Sequence, residues 1–184
     1  MTQEETYFNP FPGLRSFEEE EEYLFFGREK QIDELINKLS KTRFLAVVGA
    51  SGSGKSSLVK SGLLPSLHSG YLAAAGSGWR ICTFRPGNDP IGNLADALCS
   101  NEILGEGADE HTSAASIESI LRRNEQGVGE ALRQLSTDQK QNILIVVDQF
   151  EELFRFSKYE KAAYKGTRDS VSFINLLLAA SKFS

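Results

Sequence analysis

Cysteine, histidine, tryptophan and methionine are all scarce in this 184-residue sequence, at two, two, one and one. Two cysteines, Cys82 and Cys99, build no disulfide framework and have no metal-site spacing. They read as buried thiols in a reducing compartment. His68 and His111 have no companion ligands nearby and read as surface or packing residues. Positive charge is also short, with 20 Lys and Arg against 25 Asp and Glu and a net charge of −5. No global positive field therefore recruits nucleic acid or an anionic membrane. The longest purely aliphatic run, Ile143 to Val147, is far short of the ~20 residues a membrane span needs. The opening "MTQEETYFNPFPG" has no basic stretch leading into an apolar one, so it is not a signal peptide. These absences point to a cytoplasmic protein with no membrane and no direct nucleic-acid partner.

What is present is ordinary globular composition, 40% hydrophobic and 24% charged, in a chain long enough for one domain with a real core. The stretch from Tyr7 to Glu29 is aromatic and reads as an ordered extended arm, because Phe8, Phe11 and Phe17 need covering. Ser16 and Glu19 have capping-box spacing, and the acids Glu18 to Glu22 then suit a first helical turn. The same acids read otherwise as a solvated face with no ligand. Ile32, Leu35, Ile36 and Leu39 recur at helical spacing.

Three apolar runs read as strands: Phe44 to Val48, about Trp79 to Phe84, and the run that ends on Asp148. Between and after them come helical patterns. One spans Ser56 to Leu64, stopped by Pro65, and another Ile91 to Cys99. Further helices fit Ser116 to Asn124, Gly129 to Leu135 and Asp169 to Lys182. Residues 101–116 read as a loop, and Lys158 to Arg168 as irregular. Strands alternating with helices, each strand apolar throughout, argue for an α/β fold with a parallel sheet covered on both sides.

"GASGSGKSS", Gly49 to Ser57, fits G-x-x-x-x-G-K-[ST] without mismatch and lies between an apolar run and a helix. A polyphosphate needs several N–H donors converging on it and no side chains in the way. Gly49, Ser51, Gly52, Ser53 and Gly54 allow that wrapping, with the positive end of the following helix aimed at the same spot. Lys55 reaches the terminal phosphates, the Ser56 hydroxyl takes Mg²⁺, and Ser57 completes the loop's set. In "ILIVVDQFEELF", Asp148 emerges at the carboxyl end of its strand, where a carboxylate can hold the same metal. Glu151 and Glu152 follow, and either can orient and deprotonate an attacking water or simply begin a surface helix. No Asn-Lys-x-Asp stretch is present to read guanine, which favours ATP.

"NPFPGLRSFEEEEEYLFFGRE", "VVGASGSGKSSLVKSGLLPSL", "RPGNDP" and "ILIVVDQFEELF", in that order, resemble the STAND class of P-loop NTPases, closest to the novel STAND NTPases. This class is related to NACHT and AAA+ ATPases. The resemblance implies a three-layer αβα P-loop fold, with residues 1–27 as an aromatic arm and 28–184 as the NTPase core. It implies ATP or ADP with Mg²⁺ as cofactors, and Phe26, Gly27 and Arg28 near the base and ribose. On the same pattern Asp148 is the metal-side acid and Glu151 the acid near the water, although Gln149 replaces a small residue.

The class also carries a sensor strand between the phosphate-loop strand and the Asp148 strand, then a helical clamp. Neither is found here, so an incomplete core with little turnover is expected. The implied function is an ATP-binding switch domain of a signalling protein, with slow or conditional hydrolysis. Its implied partners are effector or repeat domains of the parent chain, with nucleotide-dependent self-association. Two other readings stay open: a small-molecule kinase, or an interaction module with a structural nucleotide.

Overall fold

A computed structural model describes residues 12–70, 78–104, 113–135, 142–156 and 163–182. The chain divides into two compact units, residues 1–74 and 75–184. His111, Phe8 and Phe11 lie outside the described residues.

In the first unit, a 3-10 helix (Glu19–Leu24) leads to α1 (Glu29–Leu39), and the glycine loop opens into α2 (Lys55–Ser57). A π-helical segment (Leu58–Leu63) and α3 (Leu64–His68) follow without a break. The capping interaction before the 3-10 helix belongs to Glu18, whose N–H donates to Glu21 Oε2 at 3.0 Å, and not to Ser16 and Glu19. The stripe expected on α1 is there, with Leu35 and Ile36 buried.

The helix after the glycine loop does not stop at Pro65. The Leu64 N–H bonds back five residues to the Val59 carbonyl, so α3 starts afresh with Pro65 in its first turn. First-turn N–H groups have no partner within the helix, so the one that proline lacks is not missed there.

Residues 44–48 form no strand, contrary to their apolar pattern. They alternate in burial as an extended chain does: Leu45 and Val47 are half-buried, while Phe44 and Val48 stay 52% and 90% exposed. A strand exists only by pairing, and the sheet among the described residues has two members, neither of which is this segment.

The second unit is α/β. Its strands β1 (Trp79–Phe84) and β2 (Asn142–Val147) pair in parallel, from Trp79 opposite Asn142 to Phe84 opposite Val147. The register puts Cys82 and Phe84 on one face beside Ile145 and Val147, and these join one apolar cluster. Helices supply the rest: α4 (Pro90–Leu98), α5 (Asn101–Leu104), α6 (Ala114–Leu121), α7 (Gly127–Leu135), α8 (Glu152–Phe156) and α9 (Ala163–Ala180). Leu94, Leu98, Ile117, Val128 and Phe173 are each at most 1% exposed in that cluster. Phe84 meets Phe173 edge-on, with ring centroids 6.0 Å apart. Asp89 and Ser113 cap α4 and α6 with side-chain oxygens that accept from Gly92 N and Ser116 N.

Several boundaries differ from expectation, with α6 and α7 each beginning two residues early and α6 ending at Leu121. A short helix, α5, occupies part of the expected 101–116 loop, and α9 begins at Ala163, inside the stretch read as irregular. Cys82 is buried and Cys99 half-buried; burial, then the charge of Asp96, pushes the Cys99 thiol up.

Candidate functional site

The candidate residues fall into two groups, one in each unit. The first group is the glycine loop. Gly52 and Gly54 have φ of +74° and +81°, a region that side chains with a Cβ rarely adopt, and Gly54 turns the chain straight into α2. A Cβ on Gly49 would come within 3.0 Å of Ser53 Oγ, so the loop closes tightly at its base. The Ser53 N–H donates to the Ala50 carbonyl at 3.2 Å. Lys55 folds back over the loop, and its Nζ donates to the carbonyls of Gly49 and Ala50 at 3.0 and 2.9 Å. An ammonium resting on two carbonyl oxygens, above exposed loop residues 51–54, is chemically ready for phosphate oxygens. Ser56 is half-buried beside it.

Ser57 is used differently. It is 9% exposed, and its Oγ accepts the N–H of Phe17 at 3.1 Å. The arm is fastened further along the same helix. Lys60 Nζ reaches both Glu18 carboxylate oxygens at 3.0 and 2.9 Å, and Ser61 Oγ donates to the Glu18 carbonyl at 2.7 Å. His68 Nδ1 lies 2.5 Å from Glu19 Oε1. The acidic run is therefore more than a solvated face, and His68 is a surface residue with a carboxylate partner. Arg15 grips Glu21 with two contacts of 2.6 Å, and that hydrogen bond, with a backbone N–H, brings the Glu21 carboxyl down to about 2.

Of the base-side candidates, Phe26 is 76% exposed and Arg28 is exposed at the start of α1. The Gly27 N–H, at φ +81°, donates to Glu29 Oε1 at 2.8 Å. Backbone N–H groups of Glu29 and Gly27 hold the Glu29 carboxyl below its usual value.

The second group stands where β1 and β2 end. Asp148 extends the ladder by one bond, its N–H donating to the Phe84 carbonyl at 2.9 Å, so it leaves the sheet beside Arg85. Its Oδ1 accepts the Gln149 N–H at 3.0 Å, and its Oδ2 lies 3.8 Å from Arg85 Nε. Gln149 takes φ +55°, which swings the chain sharply after the aspartate. Its amide, oriented to satisfy both neighbours, accepts from Arg85 Nη2 at 3.2 Å and donates to Glu152 Oε1 at 2.9 Å. Glu152 Oε2 accepts the Gly87 N–H at 3.1 Å, while Glu151 is exposed. Asn93 Nδ2 donates to the carbonyls of Arg85 and Pro86 at 3.3 and 3.0 Å, which fixes the Arg85–Pro86–Gly87 turn.

Thus the two adjacent acids separate. Glu152 ties the turn after β1 to the turn after β2, and Glu151 faces solvent. Arg85 was not among the residues expected at the site. Its signal lay in the "RPG" that closes β1, at the same end of the sheet as Asp148. No group of three or more metal-binding side chains exists among the described residues, so a metal here needs ligands beyond protein carboxylates. A guanidinium beside Asp148 Oδ2 does mark that oxygen as one that accepts a cation.

No described helix is long and apolar enough to cross a membrane. Comparison with curated proteins and with solved structures gave no match. The family model described as Novel STAND NTPase 1 matches residues 10–184, and with the motif-bearing loop and the strand-end aspartate both inside that span, the chain belongs to this family of STAND NTPases.

Proposed function

We propose that this chain is an ATP-binding, Mg²⁺-dependent switch domain of a signalling protein, with slow or conditional hydrolysis. The observation that carries the reading is the glycine loop, with two left-handed glycines and a lysine laid over backbone carbonyls. In this reading the loop residues Gly49, Ser51, Gly52, Ser53 and Gly54 and the Lys55 ammonium bind the phosphates of ATP or ADP. Ser56 and Asp148 are the protein's metal ligands. Mg²⁺ would neutralise charge building on the terminal phosphate.

Glu151 is the acid that orients the attacking water. The engagement of Glu152 with Gly87 and Gln149 favours that choice. Phe26, Gly27 and Arg28 are the base-side residues, and Phe26 has the open aromatic face such a role needs. The complete architecture is the three-layer αβα P-loop fold, with residues 1–27 as the arm and 28–184 as the core. The protein works in the cytoplasm. Its partners are effector or repeat domains of a parent chain, and its output is nucleotide-dependent self-association.

Thermal unfolding with Mg²⁺ and saturating ATP, ADP or GTP, beside Lys55→Ala, tests this. A ligand at about 100 times its dissociation constant stabilises by roughly 2.7 kcal/mol, an upward shift of about 5–10 °C for a chain of this length. The expected result is a shift with ATP and ADP, none with GTP, and none in Lys55→Ala. A cooperatively folded protein that no adenine nucleotide stabilises would overturn the reading.

A further inference from the structure

The helix after the glycine loop changes its bonding twice. The Leu58 N–H donates four back, to the Gly54 carbonyl at 2.8 Å, Leu58–Leu63 is π-helical, and α3 resumes at Leu64. Five-back bonding is rare, comes as single turns and is frequent at functional sites. This turn separates the loop-bearing end, with Lys55 and Ser56, from an anchored end where Leu63, Leu64 and Leu67 are at most 4% exposed.

The arm grips the helix before, within and beyond that turn. Ser57 Oγ, before it, accepts the Phe17 N–H. Lys60 and Ser61, within it, hold the Glu18 carboxylate and carbonyl, and His68, beyond it, meets Glu19. Ile32 packs so closely on Gly62 that a Cβ there would lie 2.8 Å from Ile32 Cδ1 and 3.5 Å from the ring of Phe25, which itself meets Phe17 edge-on.

We propose that the arm is a strap that holds this π turn, and that Glu18, acting through Lys60 and Ser61, is a positioning residue for phosphate binding at the glycine loop. The inference rests on the reading of that loop as a nucleotide site. A turn bonded five back contains one more residue than an α turn. Relaxing it to four-back bonding slips the helix by one residue, a rotation of about 100°. With Leu63, Leu64 and Leu67 held in the core of their unit, it is the Lys55 end that turns. The ammonium and the loop N–H groups then lose their common aim, so only the strapped molecules bind phosphate. Such coupling is reciprocal, and a bound nucleotide tightens the arm in return.

The test is calorimetric titration of the whole chain with ADP and Mg²⁺. The Glu18 and Lys60 side chains are 49% and 19% exposed, so loss of their pair corresponds to at most about fivefold in arm docking. Glu18→Lys also brings two ammonium groups together, and is expected to weaken ADP binding about three- to tenfold as the strapped fraction falls. Simple electrostatics gives the opposite sign, because a negative charge near a polyphosphate has become positive. Glu20→Lys makes the same charge change at an exposed neighbour and should leave ADP affinity equal or tighter. Adding Lys60→Glu to Glu18→Lys restores the pair and should return affinity to within about twofold of the unmodified protein. In the unmodified protein, ADP should slow exchange of the Phe17 amide by about the same three- to tenfold. Ser61→Ala cuts the bond to the Glu18 carbonyl without changing charge. It replaces Glu18→Lys if that variant loses cooperative unfolding, with weakening again expected.

Affinity in Glu18→Lys equal to or tighter than that of the unmodified protein would overturn the inference while leaving the nucleotide reading intact. So would a double variant as weak as the single one, or Phe17 exchange that ignores ADP. Failure of the unmodified protein to bind ADP at all would instead remove the nucleotide reading, and this inference with it.

Discussion

Ser57 follows directly on the lysine and serine that carry the phosphate chemistry, yet its hydroxyl is committed to the arm. Ser57→Ala removes the acceptor of the Phe17 N–H, a bond of 3.1 Å at a side chain 9% exposed. A neutral hydrogen bond of this kind contributes about 1 kcal/mol net. Phe17 is half-buried, so water can reach its freed N–H and spare it the full desolvation penalty. The remaining fastenings, Lys60 to Glu18 and Ser61 to the Glu18 carbonyl, stay in place.

The expected effect is therefore a melting midpoint about 2–4 °C lower. Exchange of the Phe17 amide with solvent should be about fivefold faster, since 1.4 kcal/mol is a factor of ten. Amides of α1 that exchange by local fraying should keep their rates. Because the hydroxyl serves the arm, ATP should still stabilise Ser57→Ala while failing to stabilise Lys55→Ala. Phe17 exchange and a midpoint both equal to those of the unmodified protein would refute the reasoning. So would a loss of ATP stabilisation as complete as that of Lys55→Ala.

Two further outcomes follow from the packing and the charges. Gly127→Ala places a Cβ 2.8 Å from the Ile120 carbonyl oxygen and 2.8 Å from Leu121 Cα, backbone atoms that cannot turn aside. It should destabilise the protein by about 1–3 kcal/mol in urea unfolding, and equal or greater stability would show that the helix start can shift. Glu21 has a folded pKa of about 2, below its ordinary 4.5, so its contribution is present above pH 4.5 and is lost as pH falls toward 2. A carboxyl ¹³C titration should place its midpoint near 2 and return it toward 4.5 in Arg15→Gln; an unmoved midpoint would dissociate Glu21 from Arg15.

The sequence made some elements plain and hid others for physical reasons. β1 and β2 were legible because apolar, β-branched runs bounded by glycine, proline or aspartate have little else to become. Phe44 to Val48 has the same pattern and forms no strand, because pattern reports what a segment tolerates and pairing depends on a neighbour. Five consecutive glutamates left the cap register unreadable, since Glu18 and Glu21 have the same spacing as Ser16 and Glu19. Pro65 reads as a helix stop unless the five-back bonding of Leu58–Leu63 is seen to end one residue earlier, at the Leu64 N–H. At the site, the loop was legible from its spacing. The separation of Glu151 from Glu152 was not, because it follows from the left-handed turn at Gln149. Arg85 was hidden for a similar reason: only the parallel register places the ends of two distant strands side by side.

The exposed run at 44–48 has a practical side. "FLAVV" carries no charge, no proline and no glycine, and two of its bulkiest side chains meet water. Among the described residues it joins no ladder, and although the Phe44 carbonyl accepts from the Thr42 hydroxyl at 3.0 Å, a strand from another molecule could pair along the rest of it. Concentrating or heating the protein brings such segments together, and the resulting aggregates would grow from this stretch before either unit melts. A lysine at position 46 or 48, where the side chains already face solvent, would place a charge at that edge and keep the protein in solution.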